Sequence, residues 1–262
     1  MLTRIAAFLY GIVCYVFFLA VFLYAIGFVG NVGVPKSIDS GTAPPLAQAL
    51  IINVLLLSLF AIQHSGMARI GFKRAWTRIV PEPVERSTYV LIASAVLAVV
   101  MWQWQPMPAE IWRVQNSTGR MVLLGLFWLG WFAVLLSTWL VDHFGLFGLR
   151  QVYCYAKGVP YQPPQFKTPG LYKMVRHPLY LGFIVAFWST PVMSAGHLLF
   201  AAICTGFIVV AIQFEERDLM HFYGDAYRAY RQRVSMLIPL RFRSAAPTVA
   251  GESTKGKGHA AK

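Results

Sequence analysis

PLYLGFIVAFWSTPVMSAGHLLFAAICTGFIVVAIQF, residues 178–214, runs for 37 positions without an acidic or basic residue other than histidine. As one straight helix it would rise roughly 56 Å at 1.5 Å per residue, nearly twice a bilayer core of about 30 Å. Pro191 and Gly196 interrupt it near the middle. The stretch is therefore expected to be a helical hairpin in a membrane, one arm ending near Met193 and the other starting near Leu198.

Upstream, the apolar runs 5–29, 46–63, 87–109 and 121–141 are each long enough to contain a span. The first is too long for the apolar region of a signal peptide and is expected to be retained. Six spans place both ends of the chain on one side. Twenty of the 23 basic residues then share that side, leaving only Lys36, Arg113 and Arg120 opposite. Basic loops stay cytoplasmic, so a bacterial inner (cytoplasmic) membrane location with both termini cytoplasmic is expected. This distribution accounts for the net charge of +13 without nucleic acid as a partner. Composition agrees: 57% hydrophobic, 13% charged and 15% aromatic, against about 25% charged in a soluble domain.

The expected fold is all-α and polytopic. A four-helix membrane bundle (1–141) precedes a loop, hairpin and cytoplasmic helix (142–241), then a small, polar, disordered tail (242–262). Residues 142–177 read as a long polar loop whose aromatics and prolines argue for a function. Residues 215–234, charged and with Tyr223, Tyr227 and Tyr230 at helical spacing, read as an amphipathic cytoplasmic helix. Cys14, Cys154 and Cys204 are far apart and have no metal-ligand spacing, so no disulfide or metal site is expected.

Ionisable groups at span ends are costly and mark candidate sites. On the cytoplasmic side these are Gln63-His64, Asp142-His143, Arg176-His177 and Glu215-Glu216. Four segments thus bring acids and imidazoles to one face, favouring a cytosolic cofactor. Each charge alone could equally be a cap or an interface anchor.

TPGLYKMVRHPLYLG (168–182) resembles the T-x-G-x-Y-x-x-x-R-H-P-x-Y-x-G signature of the isoprenylcysteine carboxyl methyltransferase superfamily. Beyond the hairpin follow Glu215-Glu216, then GDAYRAY (224–230) and Pro239, which resemble that superfamily's second motif. Within it the chain is similar to bacterial methanethiol S-methyltransferases, through STWLVDHFGLFGLRQ (137–151), Gln63-His64-Ser65 and Glu85-Arg86-Ser87.

The resemblance implies S-adenosyl-L-methionine as cofactor, held by Arg176, His177, Leu179, Tyr180, Glu215, Glu216 and Tyr227. A helix start near Pro178 suits the carboxylate; the glutamates suit an ammonium or ribose hydroxyls; Arg176 could instead pair with Glu216. A small thiol substrate such as methanethiol must lose its proton, because the thiolate is the nucleophile. His143, with Asp142 close by, is the first candidate base and His64 the second. A lipid or isoprenylcysteine carboxyl methyltransferase, or a non-enzymatic NnrU-like membrane protein, are the competing readings.

Overall fold

The computed structural model describes residues 1–239; the tail reading for 242–262 lies outside them. The architecture is all-α and polytopic. Five helices are long and apolar enough to cross a membrane: α1 (Leu2–Gly30), α2 (Leu46–Ala68), α4 (Glu82–Gln103), α5 (Ser117–Val141) and α9 (Ala195–Arg233). The short helix α3 (Ile70–Trp76) lies between α2 and α4. The two-residue-class pattern of an amphipathic helix is weak in all five, because lipid and protein interior are both apolar and polarity does not mark the packed face.

The hairpin is asymmetric. Its first arm, α8 (Pro178–Trp188), is only 11 residues, about 16 Å at 1.5 Å per residue. It stops well short of Met193, and extended chain follows. β2 (Val192–Ser194) pairs antiparallel with β1 (Glu110–Arg113), from the loop between α4 and α5. This pairing, with Ala195 N and Gly196 N donating to Ala109 and Met107 carbonyls, satisfies non-helical backbone where Met193 and Ser194 are buried. It also puts the hairpin tip on the same side as β1, opposite the loops that carry the candidate site.

α8 lies flush against α5 because glycines face each other. A Cβ on Gly130 would meet the Gly182 carbonyl oxygen and the Ala186 nitrogen at 2.7 Å. Backbones can approach this closely only through such small residues. Trp131, Phe127, Phe187, Phe200 and Phe28 fill the main core around this contact.

Two further expectations change. The stretch 142–177 is not simply loop: α6 (His143–Leu146), α7 (Leu149–Lys157) and a 3-10 turn (Gly170–Lys173) occupy it, and Cys154 is helical. Val152 on α7 is fully buried and fills the space beside Gly11 of α1. Nor is 215–234 a separate helix. Nothing in its sequence stops the helix at Glu215, so α9 runs on to Arg233 and kinks at Gly224 (φ 53, ψ −126), a conformation open mainly to glycine. After the kink the chain returns: Arg176 N donates to Ser235 O (2.8 Å) and His177 N to Met236 O (3.2 Å).

Candidate active site at the hairpin mouth

The entry to α8 and the exit from the membrane part of α9 are tied by one carboxylate. Glu216, buried on α9, accepts from Arg176 Nε at 2.7 Å and lies 3.1 Å from His177 Nε2 through the same oxygen, Oε1. Its other oxygen faces Arg231 Nε at 3.1 Å. Arg176 also donates Nη1 to the carbonyls of Arg231 and Val234. The two halves of the paired motif thus form one ion cluster, and Glu216 is fully engaged within it.

Glu215 is different. One position along the helix, it forms no ion pair among the described residues and is close enough to Tyr180 and Tyr172 to act on both phenols. Burial, helped by Glu215, pushes the Tyr172 phenol above its ordinary pKa of 10.0, so it stays a neutral donor. Tyr172 Oη reaches Ser137 O at 3.5 Å, joining this corner to α5.

Between Glu216 and Tyr180 sits the start of α8. His177 is its N-cap but makes no side-chain capping bond, and Pro178 occupies the first turn. The first peptide N–H groups of a helix have no partner within it. Leu179 N and Tyr180 N therefore present a positive helix end, and Leu179 itself is half-buried. Tyr227 is buried beneath this corner against Phe166 and Tyr230, its hydroxyl without a hydrogen-bond partner among the described residues.

His64 lies across the mouth on α2. It stacks on Phe60 (centroids 5.3 Å) and meets Tyr89 Oη at 3.1 Å. Its ring also packs edge-on to Phe207 of α9 (6.3 Å), which brings α2 against the hairpin's second arm.

His143 occupies a separate aromatic box. Its ring stacks on Trp139 (4.4 Å, 5° between planes) and packs edge-on to Tyr15, Phe144 and Phe147. Nε2 is 2.8 Å from Tyr15 Oη and Nδ1 is 2.8 Å from Thr138 Oγ1. Burial holds its pKa below the ordinary 6.5. The helix does end at Asp142, but the carboxylate does not contact the imidazole. It caps α6 through Gly145 N (3.2 Å) and pairs with Arg150 (2.9 Å).

Asp142 instead lines a cleft of about 660 Å³ with Lys73, Glu85, Arg86, Gln151 and Tyr161. Burial lowers the Lys73 pKa. Glu85 Oε1 and Gln151 Oε1 are buried there without hydrogen-bond partners among the described residues.

The structure thus gathers Arg176, His177, Leu179, Tyr180, Glu215, Glu216 and Tyr227 at one corner, brings His64 against the hairpin's second arm, and sets His143 and Asp142 on either side of the α5–α6 turn. Sequence reading missed Arg231, Tyr89, Tyr15 and Thr138. Tyr89 could have been noticed, three residues after Arg86 on one helix face. Tyr15 sits inside an apolar run and gives no local signal.

No family model and no solved structure matches the chain. Among curated proteins it is 57% identical to "Methanethiol S-methyltransferase" of Mycobacterium tuberculosis over 236 residues, covering 90% of this chain and 97% of that protein. It is 56% identical over 238 residues to "Methanethiol S-methyltransferase 1" of Bradyrhizobium diazoefficiens, covering 91% and 84%. More distantly, it is 30% identical to "Nurim" of Rattus norvegicus over 192 residues, 69% of this chain and 71% of that one. Identity this high over nine-tenths of the length takes in the hairpin, both motifs and the preceding spans together, and the chain belongs to the methanethiol S-methyltransferase family.

Proposed function

We propose that the protein methylates methanethiol to dimethyl sulfide with S-adenosyl-L-methionine. The reaction takes place at the cytoplasmic face of a bacterial inner membrane, with both termini cytoplasmic. The observation that carries the cofactor reading is the uncapped start of α8 beside Glu215. A positive helix end and a carboxylate without an ion-pair partner among the described residues, side by side, complement the carboxylate and ammonium of an α-amino acid. An isoprenoid or acyl chain has neither charge.

S-adenosyl-L-methionine supplies a methyl group on a sulfonium sulfur, an electrophile for a thiolate. Leu179 N and Tyr180 N receive the carboxylate, and Glu215, shared with the Tyr180 hydroxyl, receives the ammonium. Glu216 holds Arg176 and His177 so that the start of α8 stays fixed, and Tyr227 packs beneath it. The cleft beside Asp142, about 660 Å³, falls within the 300–1,000 Å³ typical of small-molecule sites. Its unpaired Glu85 and Gln151 oxygens suit the donors of a nucleoside. The chain's contribution to rate is chiefly positioning and removal of the thiol proton, for which His143 and then His64 are the candidates. Asp142 acts on His143 only through its field.

Calorimetric titration of purified protein with S-adenosyl-L-methionine tests this. Wild type binds, while Glu215→Gln weakens binding at least tenfold with its melting temperature unchanged. Methylation assays against methanethiol, a prenylcysteine and phospholipid vesicles then fix the substrate. Well-folded protein that binds no cofactor would refute the proposal.

A further inference from the structure

The His143 box contains more than an imidazole. Thr138 Oγ1 donates its single proton to Leu135 O at 2.7 Å. It can therefore only accept from His143, which places the imidazole proton on Nδ1. Nε2 then carries the lone pair, and the group 2.8 Å from it is the Tyr15 hydroxyl. Tyr15 has one proton, and it goes to Nε2. Its oxygen keeps acceptor capacity on the side away from the histidine.

The geometry points to Tyr15 as a further catalytic residue: the group that takes the thiol proton and passes its own to His143. This rests on the thiol-methylating reading above. In the step, the S–H proton moves to Tyr15 Oη while the Tyr15 proton moves to His143 Nε2. The sulfur electron pair forms the new S–C bond, and the sulfonium C–S bond breaks with its pair left on the donor's sulfur, as a thioether. The proton finishes on the imidazole and leaves later to water.

Three observations favour a relay over a packing role. Phe144, Phe147, Phe18 and Trp139 surround the histidine and Tyr15, so phenylalanines would fill the same space with no polar atoms to satisfy. The parallel Trp139 face at 4.4 Å favours the cation formed in the step, yet burial keeps the resting ring neutral. A phenol, with an ordinary pKa of about 10, is matched to an alkyl thiol, so the first transfer is close to balanced; the second, onto an imidazole held below 6.5, is uphill and is drawn forward by formation of the S–C bond.

The test compares methanethiol with methaneselenol, which is already ionised at neutral pH and needs no base. For Tyr15→Phe the expected result is a loss in kcat of about 100-fold on the thiol and under about threefold on the selenol, with the S-adenosyl-L-methionine Kd unchanged. His143→Gln should give the same split; if Tyr15→Phe loses cofactor binding through misfolding, the solvent proton inventory of the wild-type thiol reaction decides the matter, curved for two protons in flight and linear for direct transfer to the imidazole. Equal losses on both substrates, or an unimpaired thiol rate in Tyr15→Phe, overturn the relay while leaving the methyltransferase reading standing. Failure of wild type to bind the cofactor removes both.

Discussion

Glu216→Ala removes the carboxylate that joins the hairpin entry to its exit. The Arg176 side chain is 9% exposed and that of Glu216 4%, so the substitution strands a buried guanidinium on backbone carbonyls. Breaking a buried pair in this way costs about 3–5 kcal/mol. The Arg231 partner is 48% exposed and adds at most about 1 kcal/mol. At about 2–4 °C per kcal/mol for a chain of this size, the melting temperature in detergent should fall by roughly 6–24 °C. Tryptophan fluorescence on heating reads this directly. The double variant Arg176→Met with Glu216→Leu removes both charges and should recover most of the loss, since apolar replacement of a buried pair is often neutral. A single variant melting within about 2 °C of wild type would refute the reasoning by showing that water reaches the cluster. A double variant as unstable as the single would place the instability in packing instead.

Gly130→Ala and Gly182→Ala should each prevent α5 and α8 from docking, because the new Cβ meets backbone atoms at 2.7 Å; loss of monodisperse protein on size exclusion is the readout. Gly224→Ala has free space around it but keeps φ at 53°, so strain of about 1–3 kcal/mol is expected. It should appear as faster proteolysis of the segment after the kink. Acid should destabilise the protein through His143. Its folded pKa lies below 6.5, so the unfolded chain binds the extra proton first. Stability is full above about 6.5 and falls as pH drops from there toward the folded value. His143→Gln should flatten that part of the melting-temperature profile.

That the fold is built from long apolar helices was legible because each is written in an uninterrupted apolar run, although of the six expected spans five are long enough to cross a membrane. The shape of the hairpin was not. Residues 178–194 carry no charge and are mostly apolar, and apolarity reports burial, not conformation. What makes 189–194 extended is β1, some 80 positions earlier, a partner that no local pattern announces. α7 was hidden in the same way: its polar composition reads as loop, and its one deeply buried residue, Val152, acquires meaning only beside Gly11. The run-on of α9 was readable in principle. Between Glu215 and Gly224 there is neither proline nor glycine, so only a change of solvent, not of backbone, occurs at Glu215.

The adjacent glutamates show where reading a site from sequence stops. The doubled Glu-Glu was conspicuous, and both residues drew the same assignment. Successive helical positions are about 100° apart, so the two must face different surroundings. One meets Arg176, His177 and Arg231 and serves as a structural anion. The other forms no ion pair among the described residues and lies near Tyr180 and Tyr172 beside a helix start. Which is which depends on the rotation of α9 about its own axis, set by packing against α8 and by the return of 234–236 after Gly224. Sequence supplies the pair; tertiary contacts divide the labour. The same holds for Asp142 and His143, neighbours that share a turn and no contact. The histidine hydrogen-bonds Tyr15, 128 positions away, and the aspartate pairs with Arg150.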